Sequence, residues 1–192
     1  MIEIPSDLHP ELVPLVFLLG TWQGAGVAAL DKFGDPGQEA CNFGQEASFS
    51  HDGRDFLEYA SHTWRLDAEG NRLEPLESEH GFWRIKPDRQ VEVTMIRDQG
   101  VAEIWYGELA EGKPQIDLVT DAVARTQGSP AYSGGKRLYG YVNGDLMWVG
   151  EKATPDIALR PYMSAHLKKT VNPKEWVADL KNLPDDGIAF FR

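Results

Sequence analysis

Cysteine is nearly absent: Cys41 is the one thiol in 192 residues. An internal disulfide is excluded, and a reducing, cytoplasmic compartment is expected. Long apolar runs are missing too, and nothing approaches the roughly 20 residues that a membrane-crossing helix needs. The N-terminus lacks a basic region followed by an apolar stretch. Glu3, Asp7, Glu11 and Pro14 interrupt it, so no secretory leader is expected. Positive charge is scarce, with 19 Lys and Arg against 30 Asp and Glu and a net charge of -11. Such a surface repels phosphate backbones and anionic bilayers, so neither nucleic acid nor a membrane is an expected partner.

Several familiar chemistries also lack their residues. His51, His62 and His80 are scattered and show no zinc spacing. Gly134-Gly135-Lys136 is not a phosphate loop, because Pro130 stands where the upstream glycine belongs and Arg137 replaces the hydroxyl residue. No nucleophile elbow occurs, and Cys41 has no basic neighbour close in sequence to favour a thiolate. Glu46, Glu77 and Glu79 have no partner legible in the sequence. They read as solvated strand-face charges, with Glu79 the candidate for an internal hydrogen-bond network.

What is present points to β-structure. Short runs rich in aromatic and β-branched residues recur at Phe43–Phe49, Phe56–Arg65, His80–Ile85, Val91–Ile96 and Val101–Leu109. They continue at Gln115–Val123, Lys136–Val142, Leu146–Lys152 and Ile157–Lys169. Turn signals separate them at Asp52-Gly53, Glu69-Gly70-Asn71, Pro87-Asp88, Gln99-Gly100 and Asn143-Gly144. About ten strands in close succession predict an all-β, closed antiparallel up-and-down barrel, because closure removes exposed strand edges. Asp7 to Leu19 predicts a short helix, with Asp7 as its cap. Residues 1–169 form the expected barrel domain. Residues 170–192 form a C-terminal extension with a helical stretch over Pro173–Leu183, expected to pack on the barrel or on a partner subunit.

The segment Gly20-Thr21-Trp22-Gln23-Gly24-Ala25-Gly26 fits the pattern G-x-W-x-G-x-G, carried by Gly20, Trp22, Gly24 and Gly26. It is read as lying before strand one, with its glycines permitting close packing and Trp22 plugging one end of the barrel. The motif resembles that of the nitrobindin family. Phe43-Gly44-Gln45-Glu46, Ser78–Arg84 and the run Leu159–Lys169 are similar to that family as well. The resemblance spans most of Leu12 to Lys169. It implies a lipocalin-like barrel related to fatty-acid-binding proteins, and in the haem-binding members a histidine on the last strand that holds ferric iron. Those members have been linked to nitric oxide binding and peroxynitrite isomerisation. Aligning Leu159 and Lys168-Lys169 with the family's last strand puts Tyr162 at the ligand position. The chain therefore resembles the ferric nitrobindin-like branch, which keeps the barrel without that histidine.

Strict alternation puts Arg160, Tyr162, Ser164 and His166 on one face of the last strand, and Leu159, Pro161, Met163, Ala165 and Leu167 on the other. Patterning alone would turn the apolar set inward. The resemblance turns Tyr162 inward instead, and that placement is the one adopted. Tyr162 then becomes a candidate phenolate ligand for iron, with Arg160 on the same face favouring the anion. His166 is the nearest histidine, roughly 13 Å further along at about 3.3 Å per residue. The leading expectation is a non-enzymatic protein that binds a small apolar or amphipathic ligand in its cavity and needs no cofactor. The alternative is a haem b-dependent peroxynitrite isomerase with Tyr162 or His166 as substitute ligand. No catalytic residue is assigned, and a homodimer is the candidate assembly.

Overall fold

The computed structural model describes residues 3–30 and 39–170. The expected C-terminal helix over Pro173–Leu183 lies outside the described residues. Ten strands alternate in direction: β1 (Gly20–Ala28), β2 (Cys41–Ser50), β3 (Leu57–Leu66), β4 (Arg72–Ile85) and β5 (Gln90–Arg97). Then follow β6 (Val101–Leu109), β7 (Gln115–Arg125), β8 (Gly134–Val142), β9 (Asp145–Thr154) and β10 (Ile157–Thr170). Consecutive strands pair, and β1 pairs with β10, so the sheet closes on itself as the alternating patterns predict.

The turn chemistry behaves as its residues require. Gly53, Gly70 and Gly100 adopt positive φ. Asn143 and Gly144, at φ 55° and 99°, form the two-residue loop that joins the paired Val142 and Asp145. The turn at Pro87-Asp88 places its positive φ on Arg89, a residue without the usual Asn or Gly preference.

The N-terminal helix differs from expectation in kind and cap. It is a 3-10 helix over Pro10–Leu18, and His9, not Asp7, caps it by accepting from the Glu11 N–H. Pro14 lies inside the helix and removes a donor that an α-helix needs, which fits the tighter form. Leu12, Leu15 and Leu18 are fully buried in the core.

The G-x-W-x-G-x-G segment is not ahead of the first strand; it is β1 itself. Its glycines serve the closure. A Cβ on Gly24 would stand 2.0 Å from the His166 carbonyl oxygen, and one on Gly26 would stand 2.0 Å from that of Ser164. Trp22 is fully buried, donates its indole N–H to the Leu18 carbonyl at 2.6 Å, and meets Tyr141 edge-on. It thus ties the helix to the barrel.

Candidate functional site

Alternation turns one set of side chains on each strand into the lumen. Most are apolar, but charged residues occupy inward positions on three neighbouring strands and on β8. Glu77 and Glu79 come from β4, Arg97 from β5, Glu103 from β6 and Arg137 from β8. They pair internally. Arg137 grips Glu79 with two N–H donors, one at 2.8 Å, and Tyr59 donates to the same carboxylate at 3.1 Å. Arg97 reaches Glu77 at 2.9 Å and donates to Glu103 at 2.7 Å, where Tyr132 also donates. The Arg137 guanidinium lies 5.4 Å from the ring centres of both Trp105 and Trp148. Trp148 donates to Gln45, and Gln45 to Ser61.

Burial pushes the Glu79 carboxyl upward, but the charge and hydrogen bonds of Arg137, joined by Arg97, outweigh it and hold the group at about 2. Glu77 goes the other way. Its burial, together with the charge of Glu79, exceeds the help from Arg97. The network is therefore a set of mutually committed charges rather than free acids or bases.

Tyr162 enters this network through an irregularity in β10. Pro161 pairs with Glu151 and Met163 with Gly150, leaving Tyr162 as an extra residue, a β-bulge. Both Tyr162 and Met163 are consequently buried, and both border one small void with Glu77, Glu79, Arg137 and Trp148. Gly150 makes room for the tyrosine, since a Cβ there would lie 2.9 Å from its ring. Burial pushes the Tyr162 phenol above its ordinary range, and Arg97 and Arg137 offset this only in part.

Two expectations about this strand are corrected by the bulge. Tyr162 and His166 do not share a face: beyond the bulge, His166 is on the outside, 2.6 Å from the Asp145 carboxylate. Arg160 is exposed, opposite Lys152 on β9, so the guanidiniums acting on Tyr162 are Arg97 and Arg137 instead. The void beside Tyr162 measures about 10 Å³. That is no ligand cavity, because the arginine–glutamate pairs and their aromatic neighbours fill the space. Sequence reading did not single out Arg97, Glu103 or Arg137 for the site. Their signal was a charged residue in the inward phase of an apolar strand, as in Val91, Val93, Met95, Arg97.

A ligand-sized concavity of about 910 Å³ lies on the outer face of β2 to β7. Its floor is one cross-strand row in register: Ser48, Ala60, His80, Ile96, Ala102 and Ala124. Phe82, Ile96 and Ile104 stand out from it, 42%, 59% and 40% exposed. Small residues make the groove and larger apolar ones border it. No helix among the described residues is long and apolar enough to cross a membrane.

Comparison with known proteins agrees with this architecture. A "Ferric nitrobindin-like protein" of Streptomyces griseus is 71% identical over the full length of both chains. A protein of Nocardioides sp. named "Peroxynitrite isomerase" is 43% identical, covering 86% of this chain and 96% of its own. The crystal structure of Rv2717c from M. tuberculosis superposes with a TM-score of 0.73 at 25% identity, covering 85% of this chain and 99% of that one. The family model described as "THAP4-like, heme-binding beta-barrel domain" matches residues 11–169. With its ten strands closed by β1 and β10, the chain belongs to the THAP4-like, heme-binding β-barrel family.

Proposed function

We propose that this chain is a non-enzymatic binding protein that takes a small apolar or amphipathic ligand and works without histidine-ligated haem. The observation that carries this reading is the donor set around Tyr162. None of the chain's five histidines borders the void there. His62, His80 and His166 belong to outer faces, and His9 and His51 to the helix cap and the loop after β2. The tyrosine that remains is a phenol that burial holds above its ordinary range, and the guanidiniums that offset this, Arg97 and Arg137, are committed to glutamates. A ferric centre needs an anionic or imidazole donor and an open position beside it. These residues do not fit that group.

The groove on β2 to β7 supplies the ligand seat in this reading. Its volume falls within the roughly 300–1,000 Å³ of small-molecule sites, and its walls are apolar with a few polar groups such as His80 and Thr94. Two titrations test the reading. With hemin, weak and unsaturated absorbance in the Soret region is expected. A saturable one-to-one Soret spectrum, lost in Tyr162→Phe, would instead support the second reading, a haem-dependent peroxynitrite isomerase. With an environment-sensitive apolar fluorophore, saturable binding that Ile104→Asp weakens is expected. No binding at all would sink the groove as a ligand seat.

A further inference from the structure

We infer that the groove is covered by the chain's own C-terminal segment, residues 171–192, which competes there with any ligand; this rests on the reading of the groove as a binding surface. Three observations converge on it. The first is where the barrel strand ends. Thr170, the last residue of β10, pairs with Thr21, and Thr21 pairs with Ser48, the first residue of the groove floor. Thr170 therefore stands in the same cross-strand row as Ser48, Ala60, His80 and Ile96. Two strand spacings separate Thr170 from the groove, roughly 10 Å.

The second observation is reach. From Ser48 on β2 to Ala124 on β7 the floor crosses five spacings, roughly 24 Å. The segment from residue 171 to 192 spans up to roughly 70 Å when extended, so it can traverse the groove with residues to spare.

The third observation is chemistry. The groove leaves Phe82, Ile96 and Ile104 exposed together, with Ala60, Ala102, Ala122 and Ala124 between them, an apolar surface that a segment of matching chemistry can cover. The segment carries Val171, Trp176, Val177, Leu180, Leu183, Ile188, Phe190 and Phe191. In an otherwise polar segment these residues call for an apolar partner. Seating one on the other removes both from water without touching the lumen. The segment follows the family's barrel match, which ends at residue 169, so it is an addition to a fold that is complete without it.

The test uses trypsin on the full chain, with cleavage after Lys174 and Lys181 followed by mass. Seating predicts that Ile96→Asp speeds these cuts by about tenfold, because cleavage tracks the undocked population. Val142→Asp, an exposed apolar position on β8 outside the groove, should leave them unchanged. Equal cleavage rates in all three proteins overturn the seating. Protection that grows with protein concentration overturns its intramolecular form in favour of a second copy's segment. An apolar fluorophore separates this inference from the reading it rests on. It should bind a chain ending at Thr170 more tightly than the full chain. Equal binding by both defeats the competition and leaves the ligand seat standing. Binding by neither, alongside faster cleavage in Ile96→Asp, defeats the ligand seat and leaves the docked segment standing.

Discussion

At the scale of single residues, the pairing of Arg137 with Glu79 governs the lumen. Each is a buried charge that its partner makes tolerable. Arg137→Met strips the buried Glu79 of its two-pronged partner, leaving it Tyr59 and the more distant Arg97 at 3.4 Å, and should cost about 3 kcal/mol in urea denaturation. Changing both, Arg137→Met with Glu79→Met, should recover most of that loss, because the desolvation of both ions disappears with them. The same carboxylate sets an acid limit. Its folded pKa of about 2 lies below the ordinary 4.5, so the stability it lends is complete above about 4.5. It should be lost progressively as pH falls toward 2, visible as a falling thermal midpoint that Glu79→Gln flattens. Glu77, shifted upward, acts in a separate window: its protonated form favours the fold, and that help is withdrawn as pH rises above its ordinary value. These partners were not legible in the sequence. Arg137 lies 58 residues from Glu79, and inward phase marks a charge as buried without naming the strand that answers it. Glu79 was marked as a network candidate; Glu77 was read as solvated and proves to be largely enclosed.

At the scale of elements, the motif and the last strand meet as neighbours, β1 against β10. Gly24 and Gly26 lie against backbone carbonyls of β10, and the segment is a strand rather than a lead-in. Glycine-rich stretches resemble loops until the neighbour they approach is known. Gly24→Ala would drive a methyl into the His166 carbonyl, a backbone atom that cannot step aside. A loss of about 1–3 kcal/mol or more is expected, against no measurable change for Gly128→Ala, where nothing lies within 4 Å. In β10, alternation offered two incompatible faces, one apolar and one bearing Tyr162. The bulge at Tyr162 satisfies both by inserting one residue, so Tyr162 and Met163 turn inward together. A period-two reading cannot contain such a step, which is why His166 and Tyr162 were assigned one face.

At the scale of the whole molecule, the closed barrel was the most legible feature, since strand count, turn residues and short connections all required it. The outer groove was not legible. Ala60, Ala102, Ala122 and Ala124 look like filler for a lumen until the register shows them facing out. The closure has its own consequence for how the protein is made. Every pairing but one joins neighbours in sequence, and the exception joins the first strand to the last. On the ribosome, hairpins accumulate while one edge of β1 waits, and that edge cannot be satisfied until β10 has emerged. The nascent chain therefore carries a bare strand edge through nearly its whole synthesis, an invitation to wrong partners that chaperones are placed to guard. Chains stalled before Ile157 should bind chaperones persistently, and release should coincide with the emergence of Thr170.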